Sequence, residues 1–597
     1  LSYKVSNKTI VIVKAEAQAP VKQRKTKKIS GVITDETGLP VAGANIVVKG
    51  TTNGTISDMD GNFSLEAAPG EMLEISYIGF LPMEVKIDNK NTFDILMKED
   101  AQGLDEVVVV GYGTVKKRDL TGSVASVNAS KIAAVPTSTA SEALQGRIPG
   151  VVVSNSNWSP GSTPSVMIRG KRSITASNDP LYVIDGVPVT GGIGEISPSD
   201  IESMEVLKDA SATVIYGSKA ANGVILITTK QAKKGAPVVK FSANFGIQSA
   251  TYVPDVVTDP IQYMRMRNQA ERNEGKLTVT YNDDDILEYE EGMKHDRYIY
   301  PASDWYDLCY ENGFLQQYNA RVSGGTDKNQ TYFSAASVNS DGIIPNNEYD
   351  RYNFTFRNTS YFLKDRLKLD ASASYIYQKD QNMTNQGVYS NPLVPAYLFP
   401  RGENFNLYRR FERYNEGTKL MEQFWSTDME GGDLRMQNPF WINYRNLRNT
   451  DKKRYMLSFS ASYDILPWLN VAGRVRLDNS NSLYTQKLYA SSNTTITDGG
   501  KNGHYTEARA YDTQTYADLM VNINKTFGED WSLNANIGAS INNIKTDELS
   551  YRGPIQENGL PNVFNVFDLD DTKKRAEKTG SVNIGCFFQF RGNSGEG

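Results

Sequence analysis

Few side chains in this sequence are suited to catalysis or to metal binding. The 597 residues contain two cysteines, Cys309 and Cys586, and two histidines, His295 and His504. A structural zinc site needs about four Cys or His ligands at short spacings, and an activated nucleophile needs a base such as His beside it. No Ser/His/Asp or Cys/His arrangement is present, and no pair of catalytic carboxylates can be identified. The sequence therefore predicts a protein that is not an enzyme and that uses no metal and no cofactor.

One short stretch has the composition of a site. Residues 105–114 read DEVVVVGYGT and follow KEDAQGLDE, a polar stretch whose composition is that of a flexible linker. As the start of a dinucleotide fold it would supply Gly111 and Gly113, but the third glycine of GxGxxG falls at Lys116. Two interpretations stay open. The valines are either a buried structural strand or a docking strand that adds to the edge of a partner's sheet.

The bulk composition excludes some classes of protein. The net charge is −5, from 64 basic and 69 acidic residues, which gives no electrostatic reason to expect nucleic-acid binding. No stretch approaches the roughly 18–20 apolar residues of a membrane helix, and no secretory leader begins at Leu1. With 33 Tyr, 6 Trp and 48 Gly, the composition favours a β-rich protein with many turns. We expect a soluble chain, one that has lost its leader, or one that enters a membrane as strands.

The first quarter of the chain divides into small units. Residues 1–14 resemble the last two strands of a small domain, and residues 15–28 are a basic, Pro-led linker. Residues 29–98 alternate short apolar segments with Gly, Pro, Asn and Asp, which predicts a small β-sandwich. Residues 99–113 form a second linker.

Residues 114–232 mix strands with short helices and indicate an α+β domain. PLYVIDGVPV at 180–189 is a hairpin on an Asp-Gly turn. Residues 201–230 read as strand, helix, strand, where Asp209 or Ser211 is positioned to cap the helix and Gly217 to end it in the left-handed conformation.

Residues 233–597 have the rhythm of long strands. In VKFSANFGIQ, Phe241, Ala243, Phe245 and Ile247 face one way and the polar residues the other. Roughly ten such segments of ten or more residues alternate between tight turns and long polar connections, as the strands of outer-membrane barrels do. The predicted fold is mainly β: a small β-sandwich, an α+β domain and part of a transmembrane antiparallel β-barrel. A large soluble sandwich or propeller is the alternative.

Several motifs resemble one family. DEVVVVGYGTVKKRDLTGSV, LQGRIPGV, SVMIRG, PLYVIDGVPV and IESMEVLKDASATVIYGSKAANGVILITTK are similar to the plug of SusC/RagA-type TonB-dependent outer-membrane transporters. Residues 304–344 resemble that family's first barrel hairpins. GVITDETGLPVAGANIVVKGT and DGNFSLEAAPG resemble the carboxypeptidase-D regulatory-like domain. Residues before Lys14 resemble the end of the signalling-type domain of some members.

The resemblance implies a 22-stranded barrel in the outer membrane of a Gram-negative, Bacteroides-type bacterium. The 114–232 domain would be its plug, and the N-terminal domains would be periplasmic. Partners would be TonB, which transmits energy from the inner membrane, a SusD-like lipoprotein lid and outer-membrane lipid. The implied function is active import of oligosaccharides or, in the RagA branch, of oligopeptides. A siderophore or cobalamin receptor and a non-transporting surface adhesin are the lesser alternatives.

The resemblance also assigns residues. Residues 105–113 would be the TonB box: Asp105 and Glu106 precede it, Val107, Val108, Val109 and Val110 form the pairing strand, and Gly111, Tyr112 and Gly113 turn the chain into the plug. For Arg147, Arg169 and Asp185, ion pairs with the barrel wall and ion pairs within the domain both stay open. The other plug-motif residues are Gly186, Lys208, Asp209, Tyr216, Gly217, Asn222 and Gly223.

Three further expectations concern size and loops. About ten strands cannot enclose a plug of this size, so residues 233–597 are expected to be the N-terminal half of a barrel with an exposed, aggregation-prone edge. The acidic run 282–292 lacks the spacing of an EF-hand and is expected to be a solvated loop. Aromatic residues at 397–417 would stack on sugars, contact the lid, belong to an aromatic girdle or pack within the loop. The substrate is not readable from the sequence.

Overall fold

The chain forms two compact units that each have their own strands. The computed structural model describes the following parts of the chain. They are 2–6, 9–13, 27–35, 40–41, 43–49, 53–58, 60–77, 83–88, 90–97, 107–110, 113–116, 124–129, 132, 137, 139–155, 159–189, 192–208, 214–253, 255–302, 309–384, 387–401, 403–426, 436–527 and 531–596. The first unit is Leu1–Val108 with Val115–Leu120, and the second is Val109–Thr114 with Thr121–Gly597.

The first unit contains a hairpin and a small β-sandwich. The hairpin is β1 (Ser2–Ser6) with β2 (Thr9–Val13). The sandwich has two sheets, in the orders β6-β3-β9 and β5-β4-β7-β8, and its core includes Ile29, Ile46 and Leu73. Its strands are β3 (Lys27–Thr34), β4 (Asn45–Val48), β5 (Gly54–Ile56), β6 (Asn62–Ala67), β7 (Met72–Ser76), β8 (Met83–Lys86) and β9 (Thr92–Leu96). The predicted sandwich is confirmed, and its first strand starts at Lys27, inside the stretch expected to be linker. Two more strands, β10 (Val107–Val110) and β11 (Gly113–Lys116), follow.

Residues 124–230, here called the plug region, form the predicted α+β fold. Five strands make a mixed sheet in the order β12-β17-β18-β15-β16, in which β15 and β18 run parallel, and β13 pairs with β14 separately. The strands are β12 (Val124–Asn128), β13 (Val151–Ser154), β14 (Ser165–Ile168), β15 (Leu181–Ile184), β16 (Val187–Val189), β17 (Ile201–Leu207) and β18 (Val224–Thr229). Short 3-10 helices cover Glu142–Leu144, Pro198–Asp200 and Val214–Ala220.

Ten long strands form one antiparallel sheet, here called the wall, and confirm the predicted partial barrel. Each strand pairs with the next in the sheet, and their lengths run from 13 to 25 residues. The strands are β19 (Gly235–Gln248), β20 (Gly313–Gly325), β21 (Asn329–Asp341), β22 (Glu348–Phe362), β23 (Leu367–Gln381), β26 (Asn446–Leu466), β27 (Leu469–Tyr489), β28 (Gly503–Phe527), β29 (Trp531–Pro554) and β30 (Arg575–Glu596).

The wall has tight turns at one end and longer connections at the other, as the sequence predicts. The tight turns join β20 to β21, β22 to β23, β26 to β27 and β28 to β29. The opposite end carries helices α1 (Pro260–Asn273), α2 (Asp283–His295), α3 (Leu393–Leu398) and α4 (Pro439–Arg445), a 3-10 turn at Phe405–Arg409, another at Val566–Asp568, and the hairpin of β24 (Glu412–Asn415) with β25 (Leu420–Gln423). Among the described helices, none combines the length and the apolarity needed to span a membrane.

The acidic segment 282–292 is a helix, so its prediction as a solvated loop is wrong. Asn282 caps α2: its side chain accepts from the Asp285 backbone N–H at 2.9 Å, while the Asp285 carboxylate accepts from the Asn282 N–H at 2.8 Å. The acids Asp283, Asp284 and Asp285 occupy the first turn, where the helix dipole favours negative charge. The run of acids therefore stabilises a helix start.

Candidate functional site: the docking strand and the plug–wall contacts

The valine run is a short strand that already has one neighbour. Val107–Val110 forms β10, which pairs with Gly113–Lys116 in a two-stranded sheet. The two strands are joined by Gly111 and Tyr112, and glycine in the first position of a two-residue loop favours hairpins. Asp105, Glu106, Gly111 and Tyr112 lie outside the described residues. One edge of β10 is thus taken within the chain, and a partner strand would add to the other.

Asp185 lies at the tip of the predicted hairpin and touches the wall. Asp185 and Gly186 have φ of 48° and 82°, the two positive values of a tight hairpin turn, and Ile184 pairs with Val187. One Asp185 carboxylate oxygen lies 3.2 Å from Nη1 of Arg357 on β22. The same carboxylate accepts from the Thr229 backbone N–H at 2.9 Å and from its hydroxyl at 2.6 Å. Asp185 therefore bonds both within the plug region, to Thr229, and across to the wall, to Arg357.

Backbone carbonyls of the same hairpin accept from wall arginines. Arg474 donates to the Asp185 carbonyl at 3.1 Å, and Arg476 donates to the Ile184 carbonyl at 3.2 Å. Gln514 on β28 donates to the Pro188 carbonyl at 2.8 Å. The hairpin is therefore bound by two adjacent wall strands, β27 and β28, in addition to the ion pair with β22.

Glu195 is held between two wall cations. Its carboxylate forms ion pairs with Lys452 and, at 3.2 Å, with Arg454 on β26, and Arg454 is paired at 2.8 Å with Asp478 on β27. Burial acts to raise the pKa of the Glu195 carboxyl, but the attraction of Arg454 and Lys452 outweighs it and holds that pKa below its usual value. The network is an ion-paired contact in a water-poor interface.

A wall strand also donates hydrogen bonds to the backbone at Gly194 and Glu195. Arg351 on β22 donates to the Gly194 carbonyl at 2.6 Å, and Asn353 donates to the Glu195 carbonyl at 2.8 Å. Arg351 is fully buried. The segment around Glu195 is therefore bound by β22 on one side and by β26 on the other.

Asp200 binds the wall through hydroxyl groups. Its carboxylate accepts from Tyr332 at 2.9 Å, from Ser334 at 2.6 Å and from Thr355 at 3.1 Å. Among the described residues no cation lies within ion-pairing distance of this carboxylate. Because Asp200 is only 5% exposed, these three donors replace the water that an ionised carboxylate needs.

The first half of the plug region meets the wall through neutral contacts. Gln317 donates to the Thr137 carbonyl at 3.0 Å, and the Thr384 N–H donates to the Ser159 hydroxyl at 3.3 Å. Gly161, with φ of 71°, lies so close to Tyr349 that a Cβ would come within 2.0 Å of its ring. The ion pairs of Asp185 and Glu195 with the wall lie in the second half of the plug region.

The remaining plug-motif residues act mainly within the plug region. Lys208 donates to the Pro149 carbonyl at 2.6 Å, and Asn222 donates to the Ser177 carbonyl at 2.9 Å. Gly223 has φ of 91°, and a Cβ there would lie 2.7 Å from Ile168 Cδ1. Tyr216 is buried. These residues hold loops against the mixed sheet.

One prediction in this motif has another outcome, whereas the ion pairs considered for Arg147 and Arg169 stay predictions. Gly217 has φ of 64° but ψ of −150°, and it kinks a 3-10 segment instead of ending a helix in the left-handed conformation. Arg169 is itself left-handed, with φ of 58°, and its N–H donates to the Gly150 carbonyl at 2.9 Å. The Arg147 N–H donates to the Leu144 carbonyl at 3.3 Å. Asp209 lies outside the described residues.

Sequence reasoning did not single out the wall arginines, Glu195 or Asp200. Alternation predicts that Arg351, Asn353 and Arg357 share one face of β22, but a polar face on a strand usually indicates solvent. The clustering of arginine on that face is the signal that was available. Only the inserted plug region buries these side chains.

The aromatic residues of the long loop form a core of their own. Phe399, Phe405 and Trp425 are at most 4% exposed, with ring centroids of neighbouring pairs 5.0–5.9 Å apart. Tyr408 stacks into the same cluster, whereas Tyr414 is exposed. Of the four interpretations left open, packing within the loop accounts for the buried rings.

Metal ligands are not gathered in the described part of the chain. Within it, no group of three or more His, Cys, Asp or Glu side chains is close enough to hold a metal ion. Cys309 is buried against the aromatic loop cluster, and burial raises the pKa of its thiol to about 12, so it is a poor nucleophile.

Two family descriptions match parts of the chain. Residues 116–224 match the TonB-dependent Receptor Plug Domain, and residues 29–109 match the CarboxypepD_reg-like domain. The first match covers most of the plug region, and the second covers the sandwich and reaches into the valine strand.

Curated relatives and solved structures agree with this assignment. TonB-dependent receptor SusC of Bacteroides thetaiotaomicron is 36% identical over 363 residues, which are 59% of this chain and 34% of the relative. TonB-dependent receptor P3 of Formosa agariphila is 31% identical over 546 residues, 88% of this chain and 50% of the relative. The structure of the RagAB peptide importer in the "open-open" state aligns with a TM-score of 0.66 at 21% identity, over 82% of this chain and 55% of that one.

The sandwich, the plug region and the wall define a TonB-dependent receptor architecture with a partial barrel. The chain belongs to the SusC/RagA-type family of these receptors. It spans between 34% and 50% of the length of the curated relatives described above.

Proposed function

We propose that this protein acts in TonB-dependent active import of oligosaccharides across the outer membrane. The observation that carries the proposal is the attachment of the plug region to the wall by Asp185, Glu195 and Asp200. Breaking a buried ion pair from one side costs about 3–5 kcal/mol. Opening the passage separates the contacts of Asp185, Glu195 and Asp200 together, and the proposed role of energy supplied from outside the barrel is to offset this combined cost.

The docking strand is the proposed point at which that work enters. β10 lies just before the plug-domain match, which begins at residue 116. A short strand offers backbone donors and acceptors to a partner strand without requiring a side-chain pocket. TonB is the proposed partner at residues 105–113, and a SusD-like lipoprotein is the proposed partner at the long-loop end.

Oligosaccharide is the first candidate cargo. The chain is 36% identical to SusC over 363 residues, and the SusC branch is the one for which the family resemblance implies glycans. Oligopeptide import is the second candidate, supported by the shared fold.

Replacing Val108 and Val109 together by proline in the complete protein tests energy coupling. Successive N–H groups point to opposite edges of a strand, so the double replacement removes a donor from each edge. We expect ligand uptake by cells to be lost while ligand binding at the cell surface is retained. The matched control, Val108→Ile with Val109→Ile, should transport normally. Undiminished uptake by the proline variant would contradict the proposal and favour a surface adhesin.

A further inference from the structure

A cavity separates the plug region from the first three wall strands. Its volume is about 500 Å³, and it lies between the 197–202 segment of the plug region and the inner faces of β19, β20 and β21. Lys230 lines it from the plug side, and Lys240 and Arg321 line it from the wall. A volume of this size falls within the range of about 300–1,000 Å³ that ligand pockets occupy.

Two of these cations are direct cross-strand neighbours. Lys240 on β19 is the register partner of Arg321 on β20. Like charges directly opposite each other on one face destabilise a sheet. In the described parts of the chain, no carboxylate lies within 4.0 Å of the charged nitrogens of Lys230, Lys240 or Arg321. The wall therefore keeps an unfavourable pair of cations facing the cavity.

The surroundings of Lys230 are also positive. Burial, followed by repulsion from Arg321, lowers the pKa of Lys230 to about 8, although Asp200 and Glu202 act in the opposite direction. The Asp200 carboxylate is already bound by three hydroxyl groups, and Glu202 is exposed to solvent. Hydroxyl donors do not remove the charge of Asp200, and Glu202 itself lines the cavity, so the two carboxylates offset part of the charge of Lys230, Lys240 and Arg321 and leave a formal excess of one positive charge.

Two buried donors line the same cavity and lack acceptors. Arg351 is 0% exposed, and Asn319 is 8% exposed. Nη2 of Arg351 and Nδ2 of Asn319 have no hydrogen-bond partner among the described residues. Both atoms are closed off from solvent in this arrangement, so Arg351 adds positive charge to the cavity wall without offering an open bonding position.

We propose that this cavity is a binding site for an oxyanion, a carboxylate or a sulfate group, and that the imported oligosaccharide carries such a group. The second part rests on the proposed function, whereas the first does not. An oxyanion supplies negative charge and acceptor oxygens to Lys230, Lys240 and Arg321. The cavity also has room for the sugar ring that would carry it.

Selenate, an analogue of sulfate, tests the site directly. Binding of sodium selenate to the purified full chain is measured by calorimetry at low ionic strength, with sodium chloride as the reference salt. We expect the variant with Lys240→Gln and Arg321→Gln to bind selenate at least about tenfold more weakly, because both cations are lost. Lys328→Gln, which removes an exposed cation at a tight turn, should bind like the parent. Equal affinities of the double variant and the parent, or no binding by the parent, would overturn the site.

The double variant is expected to remain folded, because it removes a repulsive pair. Its thermal unfolding midpoint should equal or exceed that of the parent. A lower midpoint would show that the two cations have a stabilising structural partner, and this outcome would also count against the proposal.

Competition experiments identify the source of the oxyanion. We expect an oligogalacturonate to displace selenate from the parent and a neutral maltooligosaccharide of equal length not to do so. Displacement by an acidic oligopeptide alone, or by neither polymer, would overturn the assignment of an acidic oligosaccharide and leave a site for peptide carboxylates or for a free anion. These measurements need no TonB, so failure of energy coupling in the proline variant would leave them unaffected.

Discussion

Three carboxylates attach the plug region to the wall, and each uses different chemistry. Asp185 shares Arg357 with Asp370 of the wall, so this cation keeps a partner when Asp185 leaves. Glu195 faces Lys452 and Arg454. The Asp200 carboxylate accepts hydrogen bonds from hydroxyl groups, which can bond to water once the plug region has separated from the wall. The contact at Glu195 is therefore the one whose loss leaves a charge, that of Lys452, without a partner.

Replacing Glu195 by glutamine should loosen this contact. Arg454 keeps its ion pair with Asp478 in this variant. The expected loss of opening free energy is therefore about 1–3 kcal/mol, which is less than the cost of a fully isolated buried charge. Hydrogen exchange of the amides in 192–200 measures the opening free energy. Glu202→Gln, the same change at an exposed carboxylate of the plug region, is the control and should leave exchange unchanged.

Acid should have the same effect on the parent as the Glu195 replacement. The pKa of Glu195 is lowered in the folded protein. Its contribution to stability is therefore complete above the pKa of an unfolded glutamate, about 4.3, and is lost as the pH falls through the lower pKa of the folded state. The opening free energy of 192–200, obtained from exchange rates divided by the intrinsic rate at each pH, should therefore be steady from pH 7 to 5 and fall below about pH 4. Exchange that is equal in parent and variant at pH 7 would contradict this role for Glu195.

Residue-level prediction reached part of this site. Asp185 was identified as a candidate because it lies in a plug motif of the family resemblance, and an ion pair with the wall was one of two interpretations. Glu195 and Asp200 lie in turns without a motif of their own. Their partners lie on strands more than 130 positions away in the sequence. The sequence does not show which strand residues face the plug region, so it cannot predict these pairs.

At the scale of elements, α2 depends on its first turn. Asn282 and Asp285 form the reciprocal capping bonds, and Ile286 and Tyr289 are buried, packing with Met264 of α1. The Tyr289 hydroxyl donates to the Pro301 carbonyl at 2.9 Å. The helical pair is thus a folded unit of the long-loop end.

Removing the cap should destabilise this helical pair. Asn282→Ala deletes the acceptor for the Asp285 N–H, at an expected cost of about 1 kcal/mol. Faster hydrogen exchange in the first turns of α2, without a change in the wall strands, would report the loss. Asn282→Asp retains an acceptor and should exchange like the parent. Exchange in Asn282→Ala that matches the parent would show that tertiary packing alone holds this helix start.

Strands were more predictable than helices, for a physical reason. A strand that separates an apolar side from a polar side alternates with period two, as Phe241, Ala243, Phe245 and Ile247 do, and this alternation survives without knowledge of the partner strand. In α2 only Ile286 and Tyr289 are buried among many acids, so the helical period was hidden by charge. The Asn282–Asp285 capping box was readable, and it would have corrected the prediction.

At the scale of the whole molecule, the two ends of the wall differ in the length of their connections. Glu416, next to the β24 strand, marks the long-loop end, and Asp365 marks a tight turn between β22 and β23. In the proposed outer-membrane orientation, the first faces the exterior and the second the periplasm.

Cysteine labelling tests this orientation in cells that carry the complete protein. We expect Glu416→Cys to react with a membrane-impermeant maleimide on intact cells and Asp365→Cys to react only after permeabilisation. The parent, in which Cys309 is buried, gives the background. Reaction of both variants on intact cells, or the reverse order, would contradict the orientation.

The pairing of β10 with β11 has a mechanical consequence. As a hairpin, the outer ends of the two strands lie about 5 Å apart, whereas the ten residues 107–116 drawn straight span about 33 Å. A partner that pulls on Val107–Val110 therefore draws out slack of nearly 30 Å before tension reaches residue 124 and the plug region. In the proposed mechanism, small movements of the partner would therefore only extend the β10–β11 hairpin. Only a sustained pull would be transmitted to the plug region.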